Sequence, residues 1–592
     1  MSTNIAITGE GIISAIGNDK STVLQSLREK RTGIGKITHL QTTLKDYPVG
    51  EVKLSNTMLK QKLGISNDTI ISRTTLMGIW AVRQALEDAG LDSHAAADGT
   101  LRIVLISGTT VGGMDLTEKY FSEIVTNHKY FELLNHHEAG STTKEIASHF
   151  NLFTDYTTIS TACSSAANSI LLGANLIKAG EADIVVAGGA ESLSAFHLNG
   201  FHSLMILDHD TCRPFDKTHN GLNLGEGAAY LVLESEQSAR KRRVPIHAYL
   251  TGYGNACDAY HQTATSENGE GAYLAMREAL EMSGLTPDQI QYVNAHGTGT
   301  VNNDETETTA LQRIFTHTMP HISSTKSLTA HTTSASGGIE SIISILALQE
   351  QFIPPNRGWT TRMRNGITPS QGKTHADLKN VMCNSFGFGG NDTTLIFSSS
   401  APIAKEAPSP HHQAIKDTDI VVKSKVEITD ESMLDAVKRY VTPLEYRRMG
   451  KLMKASLLTS LRALEEAGLD KPDAIIIGTE FGSLENSETL LRQLIHEAHP
   501  TFKPTLFMQS THNTITSNVA IKLKCHGYNM TYSQGKDSLR WCIRDARMLV
   551  KNGKCKNVLV GYNDESTEIF RHIADTKLPN IHSISIVLSC GK

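Results

Sequence analysis

Short apolar runs alternate with helical patterns along the first two thirds of the chain. A segment with apolar residues at helical spacing, TLMGIWAVRQALEDAGL at 75–91, ends in a glycine, which is typical of a helix C-terminus. β-branched runs predict four buried strands: IAIT near residue 5, RIVLISG at 102–108, ADIVVAGG at 182–189 and AAYLVLES at 228–235. Strands that alternate with helices predict a layered α/β fold.

The bulk composition is that of an ordinary globular protein, with 39% hydrophobic and 20% charged residues in a chain of 592. A formal net charge of −5 gives no general reason to expect nucleic acid or an anionic membrane as partner. The eight cysteines form no C-x-x-C pair and no zinc-like spacing, which favours reduced thiols and no metal site. No signal-like start or apolar run of about 20 residues is present, so we expect a cytoplasmic protein without a membrane span.

A break in the apolar pattern falls at residues 398–417. The segment SSSAPIAKEAPSPHHQAIKD contains prolines and serines and has no apolar periodicity, as is typical of an exposed linker. We therefore predict a linker at 401–417. It separates a first domain, residues 1–400, from a segment at 418–592 that we call the tail.

The tail partly repeats the first domain. ALEEAGLD at 463–470 echoes ALEDAGLD at 85–92, and each is followed by an apolar run and glycines. Further on, YNMTYSQGKDS in the tail aligns with YTTISTACSSA in the first domain, which places Gly535 opposite Cys163. The tail is therefore predicted to copy half of the first domain without its cysteine.

The segment STACSSAANSILLGANLIKAGEADIVVAGG places a cysteine at a predicted strand-to-helix turn. A strand would end near Ser160, and Cys163 would then stand at the start of a helix. A helix N-terminus lowers the pKa of a thiol, and the thiolate is the nucleophilic form. The small neighbours Ala162 and Ser164 would let a substrate approach the sulfur. The alternative is that Cys163 is a small buried hydrophobe, as unpaired cysteines often are.

Two histidines lie in loops that could serve such a nucleophile. In VNAHGTGT, a predicted strand leads to His296, and Thr298 and Thr300 follow it in a loop rich in glycine. In SSTKSLTAHTTSASGGIE, Lys326 precedes His331 by five residues. Each of these residues alone could be an ordinary surface residue. A cysteine, two histidines and a lysine in such loops together indicate a candidate site for nucleophilic catalysis.

The motifs TACSSA, NAHGTGT, TKSLTAH and NSFGFGG, with CRPFDKTHNGLNLGEGA at 212–228, resemble the β-ketoacyl-carrier-protein synthases, especially the synthase II type. The resemblance covers about residues 1–400 in order. It implies a thiolase-like α/β fold with α-β-α-β-α layers, duplicated into an N-terminal half at 1–250 and a C-terminal half at 251–400. The tail at 418–592 resembles a further, degenerate N-terminal half.

The resemblance implies a 3-oxoacyl-acyl-carrier-protein synthase, an acyltransferase that condenses an acyl thioester with malonyl carrier protein in fatty acid or polyketide-like synthesis. By the same resemblance, Cys163 would accept the acyl group as a thioester. His296 and His331 would assist malonyl decarboxylation and stabilise the enolate. Lys326 would set the electrostatics around the histidines, and Glu307 would be a structural or proton-network acid.

The glycine loop NSFGFGG provides the remaining residues that the resemblance implies. Phe388 matches the family's gating aromatic, and its N–H would form an oxyanion hole with the N–H of Cys163. A purely structural role in the core is the alternative for Phe388. The expected substrate-binding residues are Thr298, Thr300, Gly387 and Gly389, the two threonines on the phosphopantetheine arm.

The resemblance also predicts partners. We expect no cofactor, because substrates would arrive on the phosphopantetheine of an acyl carrier protein, and we expect a homodimer that pairs through its central sheets. Two other functions stay open: a non-condensing partner subunit that controls chain length or decarboxylates, and a scaffold. Such partner subunits generally replace the cysteine, which this chain retains. For the tail, the alternatives are shaping the acyl tunnel, docking another protein, or only stabilising the fold.

Overall fold

The computed structural model describes residues 3–92, 101–127, 130–402, 416–497, 499–571 and 579–591. The strands are β1 (Ile5–Ser14), β2 (Ile103–Gly108), β3 (Asp155–Ile159), β4 (Ile184–Glu191), β5 (Gly227–Ser235), β6 (Ala248–Cys257), β7 (Tyr292–Asn294), β8 (His321–Ser323), β9 (Asn380–Gly387), β10 (Asn391–Ser398), β11 (Ile420–Ile428), β12 (Ala474–Gly478), β13 (Asn529–Tyr532), β14 (Asn557–Glu565) and β15 (Ile581–Cys590).

The α-helices are α1 (Lys20–Arg28), α2 (Asn56–Leu63), α3 (Arg73–Asp88), α4 (Met114–Asn127), α5 (Ala139–Phe150), α6 (Ser165–Lys178), α7 (Ala195–Ser203), α8 (Glu236–Arg242), α9 (Glu270–Ser283), α10 (Val301–Ile314), α11 (Lys326–Thr329), α12 (Ser336–Glu350), α13 (Pro443–Arg448), α14 (Lys451–Ala467), α15 (Leu484–His496), α16 (Pro504–Ser510), α17 (Thr514–Leu523), α18 (Ser538–Lys551) and α19 (Glu568–Arg571). Shorter 3₁₀ segments are Phe131–His137, Ala162–Ser164, Pro287–Gln289, Thr333–Ala335, Asp417–Asp419 and Glu431–Arg439.

The elements predicted from periodicity are confirmed. The four apolar runs form β1, β2, β4 and β5, and the helical segment forms α3. The side chain of Ser72 accepts a hydrogen bond from the N–H of Thr75 at the start of α3, and Gly90 follows its end with φ +61°. β1 runs to Ser14, well beyond the predicted IAIT, because it pairs with β5 over almost its whole length.

The first domain has the expected α-β-α-β-α layers. The strand order β3-β2-β4-β5-β1 forms one half and β6-β10-β9-β7-β8 the other, and β1 pairs with β6 where they join. The apolar helices α6 and α12 pack between the two halves, with α3 and α5 outside one and α9 and α10 outside the other. The predicted division after residue 250 falls inside β6.

The tail repeats the N-terminal half in mirror order along the same sheet. Its strands run β11-β15-β14-β12-β13, and β13 is followed directly by β3, β2, β4, β5 and β1 of the first domain. This order is palindromic about the β13–β3 junction if β11 is matched with β1 and β15 with β5. The predicted copy of an N-terminal half is therefore confirmed.

The junction between the two copies is an antiparallel pairing of β3 with β13. The N–H of Ser160 bonds to the carbonyl of Thr531 at 3.0 Å, and the N–H of Ser533 bonds to the carbonyl of Thr158 at 3.0 Å. In each copy the donor is the first residue after the strand, and the acceptor is the carbonyl of the strand's last residue but one. This is the pattern of a twofold, isologous interface, made here within one chain.

The turn after each central strand gives the register of the two copies. The N–H of Thr161 bonds to the hydroxyl of Ser165 at 2.9 Å, and the N–H of Gln534 bonds to the hydroxyl of Ser538 at 2.8 Å. Gln534 is therefore the structural counterpart of Thr161. The alignment made from sequence is wrong by one residue.

In the corrected register Lys536, and not Gly535, stands opposite Cys163. Gly535 instead matches Ala162, and both residues have φ +53°. The turn requires this left-handed conformation, and either small residue tolerates it better than a bulky one would. The sequence alignment started from the shared tyrosines, Tyr156 and Tyr528, which are one residue out of register. The tail still lacks a cysteine at the position of the nucleophile.

Helix α18 shows how the tail is adapted to its place. Its counterpart α6, SAANSILLGANLIK, is buried along nearly its whole length against α12. The described tail has no counterpart of α12, and α18 reads SLRWCIRDARMLVK, with Trp541 buried and arginines on another side. Arg540 and Arg544 pair with Asp155 on β3, and Arg544 also pairs with Glu181. The apolar face of α18 thus packs into the central core, and its arginines form ion pairs with the first domain.

The expected homodimer through the central sheets is not compatible with this arrangement. The edge of β3 through which two copies would pair is occupied by β13 of the same chain.

Two further expectations concern the linker and a membrane span. The predicted linker at 401–417 lies almost wholly at 403–415, outside the described residues. Among the described helices, none is long and apolar enough to cross a bilayer.

We expect the full chain to behave as one copy in solution, because its own tail satisfies the pairing edge of β3. Light scattering at micromolar concentration should give a mass near 64.5 kDa. A chain that ends at residue 402 should form dimers or precipitate, since it exposes β3 and the apolar surface under the tail. A full chain with the mass of two copies, or a shortened chain that stays a soluble single copy, would contradict this.

Candidate active site

The 3₁₀ turn between β3 and α6 presents the candidate nucleophile. Ala162 has φ +53°, and this left-handed step turns the chain so that Cys163 lies 5% exposed ahead of α6. The hydroxyl of Ser164 donates to the side-chain oxygen of Asn391 at 2.8 Å, which ties the turn to β10. The sequence pattern predicted this strand–turn–helix arrangement correctly.

The protonation state of the thiol differs from the prediction. Burial raises the pKa of Cys163 to about 12, although the charge of Lys326 and the N–H of Phe388 act in the opposite direction. The loss of water around the sulfur outweighs the dipole of the helix N-terminus, from which a lowered pKa was predicted. In the free site Cys163 is therefore a thiol, and a base must accept its proton before it attacks.

His331 is in position to be that base. Its Nε2 lies 3.1 Å from the Sγ of Cys163, and its Nδ1 lies 3.0 Å from the hydroxyl of Ser336 at the start of α12. The backbone of His331 bonds to Asn223 and Gly225, within the NLGEGA stretch. That motif, noted in the sequence only as part of the resemblance, thus holds the histidine against the sulfur.

His296 lies beside this pair at the end of β7. Its ring centroid is 5.3 Å from that of His331, with an interplanar angle of 83°. The Nζ of Lys326 lies 3.4 Å from its Nδ1 and bonds to its carbonyl at 2.6 Å. The carboxylate of Glu307 accepts the N–H groups of His296 and Gly297 at 2.9 and 2.7 Å. Glu307 therefore holds the loop, as expected for a structural acid.

Both imidazoles are neutral. Burial, and then the charge of Lys326, holds the pKa of His296 and of His331 well below the usual range. Because the ammonium of Lys326 can only donate, the Nδ1 of His296 accepts and its proton lies on Nε2. The hydroxyl of Ser336 can donate or accept, so His331 can hold its proton on either nitrogen.

A buried glutamate that the sequence analysis missed completes the network. Glu340 on α12 forms an ion pair with Lys326, and both side chains are almost wholly buried. Burial raises the pKa of Glu340 to about 7 and that of Glu307 to about 7. The signal in the sequence was an acidic residue inside the apolar helix SGGIESIISILALQE, which seldom occurs without a buried partner.

Phe388 follows β9 and covers the sulfur. Its ring stacks on that of Phe201 with centroids 5.8 Å apart, and its backbone N–H bonds to the sulfur of Cys163. A Cβ on the preceding Gly387 would lie 2.7 Å from the carbonyl of Thr161, so only glycine fits there. The structure places Phe388 in the cavity wall at Cys163 and Gly387 against the turn before it.

The tail reaches the same glycine loop. The side-chain amide of Asn513 donates to the carbonyl of Phe388 at 2.7 Å. Gly389 has φ +83°, and a Cβ there would lie 2.7 Å from the hydroxyl of Ser517 on α17. Gly389 was predicted to contact substrate, whereas the structure places it against the tail. Asn513 and Ser517 could not be identified from the sequence, because they belong to no recognisable motif.

Thr298 and Thr300 lie side by side in the loop after His296. Their hydroxyls are 2.8 Å apart, and Thr300 precedes α10 at its N-terminus. Neither is among the residues that line the cavity at Cys163. They remain candidates for a contact outside that cavity.

A narrow cavity of about 50 Å³ opens beside Cys163, and its walls come from both copies. The first domain contributes Thr110, Val111, Met114, His137, Ala162, Cys163, Phe196, His197, Phe201, Thr333 and Phe388, and the tail contributes Phe481, Ser487, Phe507, Met508, Ser510, Thr511 and His512. Aromatic and Met side chains dominate this lining. An apolar group attached to the sulfur would contact this lining.

One group of side chains among the described residues has the spacing of metal ligands. Ligand atoms of Glu10, Asp88 and His247 lie within 4.8 Å of one another. The ammonium of Lys20 lies 2.7 Å from Asp88 and 3.9 Å from Glu10, so a cation already occupies this place. The group is an ion-pair network on β1 and α3, and it is separate from the residues around Cys163.

Comparison with protein families gives consistent matches along the chain. Residues 2–239 match the model described as beta-ketoacyl synthase, N-terminal domain, and residues 247–360 match the corresponding C-terminal domain. Residues 423–592 match a second N-terminal-domain model of the same description. The tail is thus related to the first domain in sequence as well as in fold.

Individual relatives agree with these matches. The chain is 34% identical to 3-oxoacyl-[acyl-carrier-protein] synthase 2 of Staphylococcus aureus (strain MRSA252), over 67% of this chain and 99% of the relative. The solved ishigamide ketosynthase/chain length factor is 30% identical, with a TM-score of 0.63 over 68% of this chain and 100% of that one. The PfaC keto synthase–chain length factor, at 16% identity, shares the fold over 99% of this chain and 78% of that one, with a TM-score of 0.80.

The pairing of Cys163 with His331 predicts how the thiol responds to pH. Alkylation of Cys163 by iodoacetamide should be nearly independent of pH between 6 and 9, because His331 supplies a base at every pH in that range. In His331→Ala the rate should be lower at pH 7 and should rise about tenfold per pH unit, as expected for a thiol with a high pKa.

Intact-mass spectrometry measures this alkylation, with Cys163→Ala to identify the modified residue. His296→Ala is the matched variant, since it removes the neighbouring imidazole without removing the contact to sulfur. It should retain the flat profile. A His331→Ala chain with the unchanged rate and flat profile would show that another group accepts the proton.

Proposed function

We propose that this chain, which belongs to the β-ketoacyl synthase family, catalyses a condensation. It is a condensing acyltransferase, a 3-oxoacyl-acyl-carrier-protein synthase, which joins an acyl group to the two-carbon unit of malonyl carrier protein with loss of carbon dioxide. The observation on which this rests is the Sγ of Cys163 at 3.1 Å from the Nε2 of His331, with His296 beside them. This is the geometry of an activated nucleophile with a second imidazole for the extender unit.

In the acyl-transfer step, we propose that His331 accepts the proton of Cys163 as the sulfur attacks the acyl thioester. The N–H groups of Cys163 and Phe388 would stabilise the oxyanion, and the N–H of Phe388 already points at the sulfur. The bond between the acyl carbon and the carrier's sulfur breaks. The proton held by His331 then passes to the departing phosphopantetheine thiol, which leaves the acyl group on Cys163.

In the condensation step, the two imidazoles would bind the thioester oxygen of the malonyl group. His296 donates through its Nε2–H, because Lys326 keeps its Nδ1 as an acceptor. His331 donates through its Nε2–H when the hydroxyl of Ser336 donates to its Nδ1. These bonds stabilise the enolate that forms as carbon dioxide leaves. The enolate carbon attacks the acyl carbon, and the bond from that carbon to Cys163 breaks.

The tail would act as a wall that limits the length of the acyl chain. It contributes seven of the cavity's lining residues, and it has Lys536 where a nucleophile would be. Support for this proposal comes from the names of two structural neighbours, each of which includes a chain length factor. The reading of the whole chain as a non-condensing partner subunit is disfavoured, since Cys163, both histidines and Lys326 are assembled here.

The substrates would be presented by an acyl carrier protein, so the enzyme needs no cofactor of its own. Thr298 and Thr300 would contact the phosphopantetheine arm outside the cavity, in the loop that follows His296. The cycle would belong to fatty acid or polyketide-like synthesis in the cytoplasm. We propose a single-copy assembly in place of a homodimer, because β13 occupies the pairing edge.

The function is tested by supplying acyl carrier protein and malonyl carrier protein thioesters and measuring the β-ketoacyl product by mass spectrometry. The unchanged chain should form it, and Cys163→Ala should form none while its unfolding midpoint stays within a few degrees. His296→Ala should still acylate Cys163 but condense at least about 100-fold more slowly.

Undiminished product from Cys163→Ala would contradict the mechanism. Release of carbon dioxide by the unchanged chain without any β-ketoacyl product would instead support a decarboxylating partner subunit. Far-ultraviolet circular dichroism of each variant excludes unfolding as the cause of a lost activity.

A further inference from the structure

A cluster of buried amide side chains joins the turn that carries Cys163 to the tail. We call it the amide cluster, and its members are Asn168 on α6, Asn255 on β6, Asn391 on β10 and Asn529 on β13. Burying amide groups is unfavourable unless they are hydrogen-bonded, so four of them in one place must be held by specific partners. Three members belong to the first domain, and Asn529 belongs to the tail.

The side-chain oxygen of Asn391 binds the turn. It accepts hydrogen bonds from the hydroxyl of Ser164 at 2.8 Å, from the Nδ2 of Asn168 at 2.7 Å and from the Nδ2 of Asn255 at 3.2 Å. Ser164 follows Cys163 directly, and Asn168 lies one turn further along, in α6. One oxygen atom therefore holds the turn and the first residues of the helix after it.

The nitrogen of the same side chain is bound to the tail. The Nδ2 of Asn391 donates to the carbonyl of Asn529 at 2.5 Å, and the N–H of Asn529 donates to the Oδ1 of Asn255 at 2.8 Å. Both tail groups belong to the backbone of β13. Because an amide is planar, the oxygen and the nitrogen of Asn391 move together. A displacement of β13 would therefore pull the oxygen of Asn391 away from the turn.

The tail's own copy of the turn differs at this place. Ser538 matches Ser165 in the corrected register, so Trp541 on α18 stands where α6 has Asn168. An indole has one donor and no acceptor, so it cannot replace an amide in such a cluster. The amide on the helix accompanies the copy that carries the nucleophile. This links the amide cluster to the reactivity of the thiol, and not only to the fold that both copies share.

We propose that Asn391 is a positioning residue through which the docked tail holds Cys163 beside His331. The Nε2 of His331 is 3.1 Å from the Sγ of Cys163, so a small shift of the turn would separate the thiol from its base. The tail then has a second role besides its part in the cavity wall, because base-assisted reactivity of Cys163 requires the tail to be in place. This inference goes beyond the proposed function, since it concerns the thiol and its base whichever acyl group is accepted.

The test is the pH dependence of Cys163 alkylation by iodoacetamide, measured on full chains by intact mass. Asn391→Thr removes the donor to the tail and keeps a hydroxyl that can accept from Ser164. The turn is then free to move the sulfur away from His331. The rate at pH 7 should fall at least about tenfold and should rise about tenfold per pH unit, as for an unassisted thiol of high pKa, whereas the unchanged chain should give a flat profile.

Two control variants change the junction without breaking the link through Asn391. Asn529→Ala keeps the carbonyl that Asn391 binds, and Arg540→Ala removes an ion pair with Asp155 elsewhere on the junction. Both should keep the flat profile. The unfolding midpoint of every variant is measured as well, because a merely structural role of Asn391 would lower the midpoint and leave the pH profile flat.

A flat profile with an unchanged rate in folded Asn391→Thr would overturn this inference. An equal loss in Arg540→Ala would also overturn it, since any weakening of the junction would then be enough. Asn391→Ser takes the place of Asn391→Thr if the latter does not fold. Failure of both to fold would give Asn391 a purely structural role and overturn the inference. The expected alkylation results from a chain that forms no β-ketoacyl product would support this inference and contradict the proposed function.

Discussion

The antiparallel pairing of β3 with β13 is the contact on which the active site depends. β3 ends immediately before the turn that presents Cys163, and the N–H of Ser160 at its end bonds to the tail. The same junction brings His512 against Ser160 and Asn513 against the carbonyl of Phe388. A twofold interface that a homodimer would form between chains is therefore built into one chain, with one complete site.

The two copies differ because only one of them has to react. The first domain keeps a cysteine at the turn, and the tail has Lys536 there and an amphipathic α18 where α6 is apolar. Freed from catalysis, the tail contributes walls, with α16 providing Phe507 and Met508 to the cavity. Within the cavity the exclusion of water keeps Cys163 protonated and the histidines neutral, so proton transfer between adjacent groups replaces free ions.

Much of the fold and the first domain's site could be predicted from the sequence. Apolar runs and helical spacing located β1, β2, β4, β5 and α3, and four short motifs identified Cys163, His296, His331 and Lys326 as neighbours. These succeeded because each depends on local pattern or on a motif whose spacing the fold preserves.

The remaining features depend on contacts between distant segments. The register of the tail was wrong by one residue, because the alignment matched Tyr156 with Tyr528, and the left-handed step shared by Ala162 and Gly535 is visible only in the structure. The predicted pKa of the Cys163 thiol was wrong, because a helix N-terminus recognised in a sequence does not show how much water the sulfur loses on burial. Glu340 and Asn513 were missed because their roles come only from the residues they meet, Lys326 and Phe388.

The tail of the same chain forms part of the wall of the site that Cys163 serves. This contact can be measured by acylating Cys163 with a long chain that ends in a photoreactive diazirine, followed by irradiation and peptide mass spectrometry. We expect crosslinks to tail residues between 481 and 512, none of which form in Cys163→Ala. Crosslinks confined to residues 1–400 would contradict it, since the acyl chain would then lie entirely within the first domain.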